Sequence, residues 1–81
     1  MKTTIYIAMS MTGYWGRGNT IAEAKRAMQQ QGGRIRDGGL LFEVVQPKGK
    51  PDPFVDATGN IVHWGESPDA VDTIHTWKRS K

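Results

Sequence analysis

Cysteine is absent from this 81-residue chain. That excludes a disulfide scaffold, a thiol nucleophile and a thiolate zinc site, and it suits a reducing compartment. Long apolar runs are absent too: no stretch approaches the roughly 20 residues a membrane helix requires. The segment Met1 to Ile7 lacks the apolar run and small-residue cleavage site of a secretory signal, so the expectation is a cytoplasmic protein without a membrane partner. Aromatic residues make up only 9%. A sheet that reads RNA through clustered strand aromatics is therefore thinly supported, with Tyr6 and Phe42 the only candidates. The two histidines, His63 and His75, fit no zinc spacing. Ser, His and Asp occur together as in almost any sequence, but no nucleophile elbow or positioned base accompanies them. The expectation is a protein with no catalytic residue, no metal site and no cofactor.

Hydrophobic residues at 37% and charged residues at 23% are ordinary for a globular chain, so residues 1–81 are read as one domain. The net charge of +3 conceals a stronger polarity. Residues 1–36 carry six basic side chains against Glu23 alone, a net +5. Residues 37–77 carry seven acids against Lys48 and Lys50, a net −5, and Lys78, Arg79 and Lys81 come after them. A basic first half suits an anionic partner, whether nucleic acid or an acidic protein surface. The bland alternative is a solvated surface that keeps the chain in solution.

Along the chain, Ile5, Ile7, Met9 and Met11 alternate with Tyr6, Ala8 and Ser10, the period of a strand. Gly13, Gly16 and Gly18 then break it into a glycine-rich loop. Thr20 and Glu23 form a capping box, and Ile21, Ala24, Ala27 and Met28 fall on one helical stripe that Gly32 and Gly33 terminate. Arg34 to Arg36 is compatible with a short extended piece before the Asp37-Gly38-Gly39 turn. Leu40 to Val45 reads as a strand and Gln46 to Pro53 as a surface loop. Phe54 to Trp64 reads as a hairpin around Gly59-Asn60. Ser67-Pro68-Asp69 predicts a second helix, with Ala70, Val71, Ile74 and Trp77 as its apolar stripe and Asp69 and Asp72 on its outer face. The expected fold is α+β: a small, mostly antiparallel sheet with two helices packed on one face, in the order β-α-β-β-β-α.

The most distinctive segment is Gly13-Tyr14-Trp15-Gly16-Arg17-Gly18-Asn19-Thr20, between a strand and a capped helix. Gly13, Gly18 and Thr20 match a phosphate-binding loop, but Asn19 replaces its lysine and the chain is too short for the parallel sheet that loop serves. A weaker function survives. Backbone N–H groups before a helix can hold an anion, Tyr14 and Trp15 can stack on bases, and Arg17 can pair with phosphate. The competing reading has Tyr14 and Trp15 covering a thin core. The candidate binding residues are Tyr14, Trp15, Arg17, Asn19, Lys25, Arg26, Arg34 and Arg36.

The run Gly18-Asn19-Thr20-Ile21-Ala22-Glu23-Ala24 resembles the helix entry of HicB-like antitoxin domains, over about residues 14–28. The paired strands and proline-glycine segment that precede that helix in the family are missing, and no function is carried over from it. The whole chain resembles small bacteriophage-encoded proteins, which implies a setting in the cytoplasm of an infected bacterium and supplies no chemistry.

Two functions are expected. The first is a non-enzymatic binding protein, a phage-encoded inhibitor or modulator that blocks a host or defence protein complex stoichiometrically. The second is a small nucleic-acid-binding module that uses the basic half and the aromatic loop. The oligomeric state is not set by the sequence.

Overall fold

The fold is given by a computed structural model that describes residues 2–47, 49, 51–63, 68 and 70–77. Its strands are β1 (Lys2–Ser10), β2 (Trp15–Gly18), β3 (Gly39–Pro47), β4 (Phe54–Val55), β5 (Ile61–Val62) and β6 (Ala70–Trp77). Among the described residues there is one α-helix, α1 (Ile21–Gln30), and one 3-10 turn at Ile35–Asp37. The main sheet runs β2-β1-β3-β6, and β4 and β5 form a separate hairpin. Both β2 and β3 pair antiparallel with β1, so they run parallel to each other and α1 crosses over β1 between them.

The helix begins with one half of the capping box, and the Glu23 carboxylate reaches one residue past the cap. The Glu23 N–H donates to Thr20 Oγ1 at 3.2 Å, and Glu23 Oε2 accepts from the Asn19 N–H at 2.9 Å. It ends in a Schellman motif: Gly32 takes φ +114°, and the Gly32 and Gly33 N–H groups donate to the Gln29 and Met28 carbonyls. Of the expected stripe, Ala24 and Met28 are fully buried, while Ile21 remains 41% exposed.

Cross-strand register sorts the sheet into two faces. Ala8 pairs with Gly16 and Leu41, and Tyr6 with Gly18, on the face beneath α1. Ala8, Ala24, Met28 and Leu41 form the core there, with Tyr6, Ile35 and Trp77 packed against them. Ile7 pairs with Arg17 and Phe42, and Ile5 with Val44, on the opposite face. That face is covered as well. Ile5, Ile7 and Val44 are buried, as are Pro53 and His63 of the segment between β3 and β6. Arg17 ties that segment down, with Nη1 donating to the Pro53 carbonyl at 3.2 Å and Nε 3.5 Å from Asp52 Oδ2. The hairpin itself turns on Asp56, whose Oδ1 accepts from the Thr58 N–H, the Thr58 hydroxyl and the Asn60 N–H.

Three expectations are corrected. The second helix is a strand: Ala70–Trp77 pairs antiparallel with β3 along the sheet edge. Its sequence is rich in β-branched residues (Val71, Thr73, Ile74, Thr76), which lose side-chain freedom in a helix and fit a pleated surface. The helix-start residues Ser67 and Asp69, with Trp64 and Glu66, lie outside the described residues. Asp72 accordingly sits on an edge strand, opposite Glu43. The sheet is therefore covered by one helix and a hairpin segment on opposite faces, not by two helices on one face. Second, the glycine-rich segment is no loop, because Trp15–Gly18 is strand β2. Third, residues 34–36 are not extended together; Ile35 and Arg36 belong to the 3-10 turn, whose Asp37 and Gly38 N–H groups return to the Arg34 and Ile35 carbonyls.

The far edge of the sheet carries two irregularities. The register of β3 against β6 shifts between Leu41 and Phe42, which pair with His75 and Thr73, so Ile74 is an extra, bulged residue. Trp77 lies over Gly39, where a Cβ would come within 2.6 Å of the indole, and its Nε1 donates to the Ile35 carbonyl at 2.7 Å.

Candidate functional site

The alternation of glycine with large residues in Trp15-Gly16-Arg17-Gly18 has a packing cause. A Cβ on Gly16 would overlap the Met28 nitrogen, and a Cβ on Gly18 would lie 2.6 Å from the Ala24 nitrogen. The bare face of β2 lets α1 lie directly on the strand backbone. Trp15 and Arg17 consequently project to the other face. The glycines do not form a phosphate cradle; they are the seat of the helix.

The β1–β2 turn is fastened at Ser10, which is 3% exposed. Its N–H donates to the Tyr14 carbonyl at 2.7 Å, and its Oγ accepts from the Tyr14 N–H. An antiparallel ladder alternates bonded and unbonded pairs. From that fixed point, Ala8 and Gly16, then Tyr6 and Gly18, exchange hydrogen bonds. The backbone N–H and C=O of Trp15 and Arg17 therefore face away from β1, toward the outer edge of the sheet. No described strand pairs with β2 on that side.

Along this edge lies a cavity of about 480 Å³, lined by Gly13, Tyr14, Trp15, Gly16, Arg17, Ala27 and Gln31. Its floor is the strand edge and its overhang is the C-terminal half of α1. Tyr14, 46% exposed, packs its ring against Gly32 at the helix end. Three of the eight candidate residues, Tyr14, Trp15 and Arg17, are thus brought together. The Arg17 guanidinium is held by Asp52 and Pro53, which takes it out of the role of a phosphate clamp.

The other five go elsewhere. Asn19 sits at the opposite end of α1, exposed, with its N–H on Glu23. Arg26, Arg34 and Arg36 are exposed and Lys25 is half-buried, all beyond the groove. Ala27 and Gln31, which complete the groove, escape a reading of the sequence because helical periodicity gives them to a core stripe and a helix end. Among the described residues no group of three or more His, Asp and Glu side chains could hold a metal, and no helix is long and apolar enough to cross a membrane. His63, which the sequence puts on a strand face, is buried at the end of the β4–β5 hairpin segment.

No protein-family model, no curated protein and no solved structure gives a significant match to this chain. The class of the protein rests on its own geometry: a small antiparallel α+β domain with a helix-overhung strand edge.

Proposed function

We propose that the domain is a non-catalytic binding module that captures an extended segment of a protein partner along the outer edge of β2 and blocks that partner stoichiometrically. One observation carries this reading. The outward-facing N–H and C=O groups of Trp15 and Arg17 border a groove of about 480 Å³ that Tyr14 and Trp15 help to line. An added strand would satisfy those backbone groups, and the wall would sort its side chains, as in other cases of strand addition beside a helix. Tyr and Trp are the residues that anchor such interfaces, because they contribute large area at small entropic cost. We take the partner to be a host or defence protein complex, the setting that a resemblance to small bacteriophage-encoded proteins would imply.

The experiment is site-specific photo-crosslinking. A benzophenone amino acid replaces Tyr14 in the full chain expressed in bacteria, and the cross-linked protein is identified by mass spectrometry. Its activity is then titrated with unlabelled domain. The expected result is one dominant protein adduct, lost in Trp15→Asp, and an effect that saturates near one equivalent per site. Complete inhibition at a small fraction of an equivalent means turnover and overturns the reading. So does an adduct pattern without a dominant protein.

A further inference from the structure

The basic residues outside the groove gather at the opposite flank of α1. Lys25 Nζ stands 5.4 Å over the centre of the Trp77 ring, and Trp77 Nε1 is bonded to the Ile35 carbonyl at 2.7 Å. Arg34 and Arg36 flank Ile35 on either side. Together with Gln29, Gly33 and Ile35 they line a cleft of about 370 Å³. On the helix, Gln29 lies four residues after Lys25 and three after Arg26, so all three occupy adjoining positions of one surface. Two cations thus line the cleft, and two more neighbour its Gln29 on the helix. Among the described residues, none of Lys25, Arg26, Arg34 and Arg36 forms an ion pair, whereas Arg17 does. Asp37, half-buried beside Arg36, is the adjacent acid in sequence, and Glu23 is engaged with the Asn19 N–H at the other end of α1.

We infer that this surface binds the phosphate backbone of a nucleic acid, at a site separate from the β2 groove. Cations held close together on a folded surface repel one another, and a polyanion relieves that repulsion while releasing its own counterions. The composition of the cleft favours nucleic acid over an acidic protein. A protein interface needs an apolar centre, while protein–nucleic acid interfaces are more polar and more positive. Ile35, the aliphatic residue lining the cleft, packs into the core beneath α1. Arginine dominates the set, and its planar fork matches phosphate in two-point contact. The residues carry no base-reading arrangement, so binding is to backbone and independent of sequence.

The test is fluorescence anisotropy of labelled single-stranded and duplex oligonucleotides with the full chain, across a salt series. Binding is expected at low salt for one or both probes. Log affinity should fall linearly with log salt, with a slope near 0.7 per phosphate contact for a single strand or 0.9 for a duplex. In Arg34→Gln/Arg36→Gln the slope should become shallower by about 1.4–1.8, reflecting two lost contacts, and affinity should drop at least tenfold. Arg26→Gln is the independent second variant and should remove about one further contact. Melting temperatures within a few degrees of the parent establish that the variants fold. Absence of binding at low salt overturns the inference, as does affinity that ignores salt or the arginine substitutions. Displacement of the probe by polyglutamate as readily as by unlabelled oligonucleotide also overturns it, in favour of an acidic protein partner. A failed cross-link at Tyr14 leaves this result untouched, because the groove and the basic surface share no residue.

Discussion

The backbone of Gly16 lies against the backbone of Met28, so close that a β-carbon on Gly16 would overlap the Met28 nitrogen. Strand and helix meet here without side chains between them on the strand. Gly16→Ala should therefore force α1 away from β2 and open the core around Met28. Overpacking of this kind costs about 1–3 kcal/mol, and in a domain of this size each kcal/mol moves the midpoint by about 4–8 °C. Thermal unfolding should show a loss of roughly 5–20 °C. A matched control is Gly13→Ala, where no atom lies within 4 Å of the added carbon and only the φ of +99° is strained. An equal loss at both positions would contradict the close helix seat.

Trp77 joins three segments at once: Gly39 under its ring, Lys25 over it, and the Ile35 carbonyl at its Nε1. Trp77→Phe keeps a ring but loses the donor and part of the indole. The expected loss is about 2 kcal/mol, one part from the hydrogen bond and the remainder from the vacated volume. Chemical denaturation of the parent and the variant, compared at equal slope, measures it.

Arg17→Gln removes the ties to Asp52 and the Pro53 carbonyl. Both side chains of the ion pair are substantially exposed, so the global cost should be small, about 1 kcal/mol or less. The local effect should be larger. Amide exchange in residues 51–63 should accelerate while that of β1 and β3 is unchanged. Uniform acceleration through the sheet would mean that Arg17 supports the whole domain and not this attachment.

Asp56 makes the hairpin turn sensitive to acid. The Thr58 hydroxyl bond, then the Asn60 and other backbone bonds, hold its carboxyl below the usual carboxylate range, against a weaker opposing effect of desolvation. Folding thus favours the ionised form. Its contribution is complete above the unfolded pKa and is lost as pH falls through the lowered folded value. The Thr58 and Asn60 amide shifts should titrate together, with a midpoint below that of an ordinary aspartate. A midpoint at or above the ordinary aspartate value would contradict the turn geometry.

Much of the N-terminal half is legible in the sequence. Alternation identifies β1, and the capping box with its two terminal glycines identifies both ends of α1, because those signals are local. β2 is not legible, since glycine in isolation signals a turn. What makes Gly16 and Gly18 strand residues is the helix lying on them, a contact between segments. Residues 70–77 mislead for a related reason. A serine-proline-acid start and an apolar stripe at helical spacing point one way, while the β-branched residues and the edge of β3 point the other, and pairing wins. Of the candidate binding residues, composition selects the types. Only the fold separates Tyr14, Trp15 and Arg17 at the groove from Lys25, Arg26, Arg34 and Arg36 outside it, with Asn19 at the start of α1.

The bulge at Ile74 has a bearing on how the protein behaves at high concentration. β6 is an eight-residue edge strand with Val71 and Ile74 each about 40% exposed, the kind of border that recruits further chains into fibrils. A sheet grows by propagating an uninterrupted ladder. At Ile74 the outward row of donors and acceptors slips by one residue, so an incoming strand that matches the first half of β6 is out of step with the second. The irregularity works against extension of the sheet at this border.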